Sequence, residues 1–89
     1  MDKATFIERI KALNTIKSVN GIEYRIDDVD DKYIEGTRLS TGKSFKIPMN
    51  KLYQAYSDLK DTVITTSTLK PYVDRVQSPS LAILKAIAK

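Results

Sequence analysis

Apolar residues in this chain change their spacing twice, and the first region has the spacing of a helix. Within residues 2–13, four apolar side chains fall on one helical stripe: Phe6, Ile7, Ile10 and Leu13. This spacing predicts an amphipathic helix, and Asp2 stands where its carboxylate can cap the first turn. Asn20-Gly21 is a strong turn signal, so the helical region ends before it.

From residue 22 to residue 48 the apolar period shortens to two, which is typical of half-buried strands. The segments "IEYRIDDV", "YIEGTRL" and "SFKIP" show this alternation, and only short polar turns separate them. Connections this short require antiparallel pairing, so we predict a three-stranded antiparallel meander. Gly36, inside the second strand, indicates a bulge or a close backbone approach.

Helical spacing returns after residue 48 and predicts three helices. The first of these opens near Pro48 to Asn50 and presents Leu52, Tyr53, Tyr56 and Leu59 on one face. The second covers about residues 66–75, with Pro71 expected near its start, and the third begins with Ser78 as cap and Pro79 at the first helical position. The expected fold is therefore α+β, with an N-terminal helix, a three-stranded antiparallel meander and three helices packed on one sheet face.

Composition narrows the classes of function. The 89 residues suit a single compact domain over residues 1–89, and they include no cysteine and no histidine. This composition excludes a disulfide framework, a cysteine metal site and the commonest general base. No apolar run approaches the roughly 18 residues of a membrane span, and "MDKATFIERIKAL" lacks the core of a signal peptide. We therefore expect a cytoplasmic protein that does not associate with membranes.

The acidic run "DDVDD" is the first candidate for chemistry. It supplies Asp27, Asp28, Asp30 and Asp31, and Glu35 follows shortly after. A calcium loop starting at Asp28 fails at Lys32 and Tyr33, whereas aspartates belong in a turn between strands. No imidazole is present to activate a serine, and the three glycines fall at turns or a bulge. We expect no enzymatic activity, no metal and no cofactor.

The basic residues are the second candidate. The net charge is +4, and no acidic residue occurs between Gly36 and Ser57. Arg38, Lys43, Lys46 and Lys51 fall in this stretch; Arg38 and Lys46 are expected on adjacent strands with Lys43 in the turn between them, and Arg25 on the first strand faces the same way. We expect these five cations to form the phosphate-contacting set. Such a cluster, with Tyr33 beside it as a base-stacking platform, is typical of a surface that contacts nucleic-acid phosphates. The alternative is that these side chains only keep the sheet solvated.

The last helix is the third candidate, because apolar side chains cover nearly half of its circumference. It carries Leu81, Ile83, Leu84 and Ile87 and no arginine, asparagine or glutamine from Ser80 onward, so it is unsuited to reading bases. The apolar stripe is wider than a helix in a small domain usually buries, so the surplus either packs within the chain's own core or forms an interface with another protein or a second copy.

These patterns lead to two expectations of function. The first is a small non-enzymatic binding or accessory module, of bacterial or phage type, that contacts nucleic-acid phosphates through the basic sheet face. The alternative is a module for protein–protein interaction or self-association through the C-terminal helix. In both cases we expect a monomer or a weak homodimer.

Overall fold

The computed structural model describes residues 1–88 and has an α+β fold with four helices and one four-stranded sheet. The elements follow in the order α1 (Lys3–Lys11), β1 (Thr15–Lys17), β2 (Glu23–Val29), β3 (Tyr33–Arg38), β4 (Lys43–Pro48), α2 (Met49–Leu59), α3 (Thr66–Leu69) and α4 (Gln77–Ile87). The expected α+β class is confirmed. In these residues no helix has the length and apolarity required to cross a bilayer.

Helix α1 forms where the apolar stripe predicts it. The Asp2 carboxylate accepts a hydrogen bond of 2.8 Å from the backbone N–H of Thr5, which satisfies one of the donors that a helix start leaves free. Phe6 and Ile10 are fully buried, so the stripe anchors the helix in the core.

The sheet has one strand more than the sequence predicts. All neighbours pair antiparallel in the order β1-β2-β3-β4, and β1 lies at the edge, where Ile16 stands opposite Tyr24. The expected count of three strands is therefore wrong. Strand β1 has only three residues and only one of them, Ile16, is buried, so alternation gives too short a signal to identify it.

Gly36 marks both an irregular register and a close approach. Ile26 pairs with Gly36 but Asp28 pairs with Glu35, so Asp27 is an extra residue in β2. A methyl group on Gly36 would lie against the ring of Phe45 and 2.5 Å from the carbonyl oxygen of Arg25. Only glycine fits in this position.

The core lies between the sheet and the helices. Helices α1, α2 and α4 contact the inner face of the sheet or the strands at its edges. The fully buried apolar side chains come from strands β3 and β4 and from all four helices: Phe6, Ile10, Ile34, Ile47, Met49, Leu52, Ala55, Leu69 and Ile83. Tyr24 and Phe45 meet edge-to-face, with ring centroids 5.6 Å apart, and continue this core across the sheet.

The helix over residues 66–75 is much shorter than expected. Helix α3 ends at Leu69, two residues before Pro71, and turns lead from there to Arg75, which adopts φ = 71°. Pro71 has no backbone N–H to donate to the carbonyl oxygen of Ser67, so the hydrogen-bond ladder of the helix is interrupted there, although Lys70 still has helical backbone angles. Helix α3 packs mainly on α4 and not on the sheet, so the expectation of three C-terminal helices on one sheet face is corrected in this respect.

Helix α4 begins earlier than the Ser-Pro signal predicts. Its first residue is Gln77, and Val76 stands at the cap position without a side-chain cap. Ser78 is thus inside the first turn, where its hydroxyl lies 2.8 Å from that of Tyr24. The serine joins the helix to the sheet instead of capping it.

Candidate binding surfaces

The outer face of the sheet carries two of the five predicted cations, and both lie beside carboxylates. Arg25 Nε is 2.5 Å from Asp27 Oδ1. Lys46 Nζ is 3.9 Å from Glu35 Oε1 and 4.1 Å from the ring centroid of Tyr33. The acidic partners come from β2 and β3, outside the acid-free stretch of sequence, so this face has mixed charge.

Asp27 is the centre of a small polar network on this face. Its carboxylate accepts hydrogen bonds from the Thr37 hydroxyl (2.6 Å) and from Arg25. The hydroxyl of Thr37 and then the guanidinium of Arg25 lower the pKa of Asp27 below its ordinary value of 3.8. A phosphate approaching Arg25 would therefore compete with a carboxylate already in place.

Arg38 and Lys43 lie at the other end of the sheet. They stand opposite each other on β3 and β4, and Arg38 is also opposite the inward-facing Tyr24. Both are exposed, and within residues 1–88 neither forms an ion pair; Arg38 Nε donates to Ser40 Oγ at 3.2 Å. Lys51 is exposed in the first turn of α2. The five cations are thus divided among three places.

The acidic run forms a turn that its own backbone satisfies. The Asp30 carboxylate accepts hydrogen bonds from the backbone N–H groups of Tyr33 (2.7 Å) and Lys32 (2.8 Å), and these bonds lower the pKa of Asp30. In the described part of the chain, no group of three or more acidic residues is arranged to hold a metal ion. This geometry fits the interpretation of the run as a solvated turn.

The apolar side chains of α4 divide into two sets. Ile83, Leu84 and Ile87 are between 0 and 4% exposed, within the core of the chain itself. Leu81 is half-buried and, together with one edge of Leu84, borders an open depression in the surface.

This depression, which we call the helix groove, has a volume of about 400 Å³. Residues from α2, α4 and the α2–α3 connection give it an apolar floor: Tyr56, Ile64, Leu81 and Leu84. Val63 stands at its rim and is 82% exposed, the highest exposure of any large apolar side chain among residues 1–88. The groove therefore exposes apolar side chains to solvent.

Three cations line the helix groove. Arg9 comes from α1, Lys60 follows the last residue of α2, and Lys85 lies in the last turn of α4. None of the described residues that line the groove is acidic. One guanidinium nitrogen of Arg9 donates to the carbonyl oxygen of Ile87 at 3.2 Å, which fixes that side chain at the C-terminal end of α4.

The sequence contains little that identifies this groove in advance. Its residues are distant in the chain and meet only because α1, α2 and α4 pack together. The one local signal is Val63-Ile64, two adjacent β-branched apolar residues in an otherwise polar connection.

No family model, no curated protein sequence and no solved structure matches this chain.

Proposed function

We propose that the protein is a non-enzymatic interaction module that binds a partner protein through the helix groove. The exposed apolar surface around Val63 is the observation that supports this proposal. Covering one such side chain completely would contribute about 1.5–3 kcal/mol to binding, before the entropic cost of association. A partner that fills the groove would also cover Leu81, the one residue of the expected α4 interface that is half-buried and not buried in the chain's own core.

Self-association through α4 is less favourable than binding of a partner protein in the groove. Ile83, Leu84 and Ile87 already pack in the chain's own core, so a dimer could not use them without partial unfolding. A partner protein needs no such rearrangement, because the groove is open in the monomer.

Selection from a random peptide library on the immobilised protein tests this proposal. Enriched peptides should bind the wild type and lose at least about tenfold in affinity, or 1.4 kcal/mol, with Val63→Glu. Val19→Glu is the matched control, because Val19 is also a highly exposed valine (67%) but lies outside the groove. Enriched peptides that bind both variants equally, or no enrichment at all, would reject the proposal.

Contact with nucleic-acid phosphates is the second candidate, and Arg38 and Lys43 are the residues that favour it. They are a cross-strand pair of exposed cations without a carboxylate partner in the described part of the chain. A gel shift at about 50 mM salt tests this candidate, with binding expected to weaken steeply as salt rises. Replacing both Arg38 and Lys43 by alanine should abolish the shift, whereas replacing both Arg25 and Lys46 should reduce it less. No shift at low salt would reject this candidate.

A further inference from the structure

We infer that the occupant of the helix groove is an acidic segment of another protein that carries a bulky apolar anchor. This inference rests on the proposed function and specifies the chemistry of its partner. The juxtaposition of an apolar floor with Arg9, Lys60 and Lys85 is its basis.

Two of the three groove cations have no partner among the described residues, so their charge is available to a bound segment. Within residues 1–88, Lys60 and Lys85 have neither an ion-pair nor a hydrogen-bond partner on their side chains, whereas four other cations lie beside carboxylates: Lys11, Lys17, Arg25 and Lys46. The groove thus combines uncompensated cations with the most exposed apolar side chain. Charge complementarity of this kind selects partners and speeds their association.

The distribution of the cations favours a segment with several negative charges. Arg9, Lys60 and Lys85 come from three different parts of the chain and all line the groove, so a segment with several carboxylates would match them better than a single carboxylate. A volume of about 400 Å³ is near the low end of the roughly 300–1,000 Å³ of small-molecule sites, which suits one or two large side chains of a peptide. Leucine or an aromatic residue flanked by acids meets both conditions.

A second copy of this chain does not offer such a segment. Its acidic run, residues 27–31, belongs to β2 and the following turn, and the only apolar residue there, Val29, is half-buried and pairs with Ile34. Asp58 and Asp61 flank Leu59, but Lys60 lies between the two acids and Leu59 is half-buried against the chain's own core. The occupant is therefore expected to be a different protein.

Fluorescence polarisation with synthetic helical peptides tests the charge preference directly. The probe is a labelled amphipathic peptide of about 16 residues, with leucines at i, i+3, i+4 and i+7 and glutamates on its flanks. Its comparison peptide has glutamine in place of each glutamate. The acidic peptide should bind at least tenfold more tightly, and about 0.5 M salt should remove most of that difference.

Two charge-reversed double variants show whether the lysines of the groove cause the preference for the acidic peptide. Lys60→Glu combined with Lys85→Glu should weaken binding of the acidic peptide at least tenfold and leave the glutamine peptide little changed. Lys51→Glu combined with Lys70→Glu makes the same change in net charge outside the groove and should have a much smaller effect. Circular dichroism confirms that each variant is folded.

The outcomes separate the inference from the proposed function. If the glutamine peptide binds the groove as well as the acidic one, the acidic preference is wrong and the proposed function stands. If neither peptide binds and library selection also fails, both are wrong. A third outcome is that dodecanoate binds, that Lys85→Glu weakens its binding, and that no peptide binds. The groove is then a site for amphiphilic small molecules, and the inference is overturned.

Discussion

The hydroxyl of Tyr24 lies 2.8 Å from the hydroxyl of Ser78, which connects β2 to the first turn of α4 across 54 positions of the chain. Tyr24 is only 3% exposed, so its hydroxyl needs a partner inside the protein. The contact fixes one end of α4, and the other end of the same helix forms a wall of the helix groove.

Loss of this bond should destabilise the protein modestly. Tyr24→Phe leaves the ring in place but removes one hydroxyl, and we expect a loss of about 0.5–1.5 kcal/mol in the free energy of unfolding. Urea denaturation of the wild type, both single variants and Tyr24→Phe combined with Ser78→Ala gives the coupling energy. Strictly additive effects would show that the two hydroxyls do not interact.

Gly36 should not tolerate a side chain. Gly36→Ala places a methyl group against Phe45 and the Arg25 carbonyl, so we expect a loss of about 1–3 kcal/mol. Phe45→Leu in the same chain should recover only part of this loss, because the backbone contact with Arg25 remains. Thermal unfolding of the wild type, Gly36→Ala, Phe45→Leu and the double variant measures the effect, and an unchanged midpoint for Gly36→Ala would contradict the close approach.

Replacing Arg75 by glycine should stabilise the protein. Its φ of 71° lies in the left-handed region, which disfavours residues with a Cβ atom. We expect Arg75→Gly to raise the free energy of unfolding by about 0.5–1 kcal/mol, after allowing for the greater freedom of glycine in the unfolded chain. Arg75→Ala is the control, since it removes the charge but keeps the Cβ atom. Equal stabilisation by both variants would show that the gain in stability comes from removing the charge and not from relieving the backbone angle.

Asp27 should contribute to the loss of stability in acid. Its pKa is lowered in the folded protein, so its contribution is fully present above the ordinary value of 3.8 and is lost as the pH falls through the folded pKa. Asp27→Asn should therefore lose less stability than the wild type between about pH 4 and pH 2. Denaturation at a series of pH values checks this, and identical slopes would show that Asp27 has the same pKa in both states.

The sequence predicts the elements that have strong periodicity or a clear cap. The stripe through Phe6 and Ile10 identifies α1, and alternation identifies β2, β3 and β4. It does not predict β1, whose position depends on pairing with β2, and it overestimates α3, because the apolar spacing around Tyr72 and Val73 persists in turns after Pro71. Tertiary pairing and backbone geometry decide both elements.

The candidate sites were harder to predict than the fold, because which charged side chains lie next to each other depends on the folded structure and not only on their order in the sequence. The acid-free stretch is real, yet the β3–β4 register places Glu35 opposite Lys46, and Asp27, two residues after Arg25 on β2, forms an ion pair with it. The helix groove depends on contacts among three helices, so its cations appear unrelated in the sequence. Only the apolar width of α4 suggested a surface near Leu81.

The central claim is that the partner surface is the helix groove and not the sheet. An NMR titration of the ¹⁵N-labelled protein with the acidic peptide tests it most directly, because amide shifts locate the contact. We predict the largest shifts at Lys60, Val63, Leu81 and Lys85. Shifts centred on Arg25 and Lys46, or on Arg38 and Lys43, would contradict the claim and assign binding to the sheet.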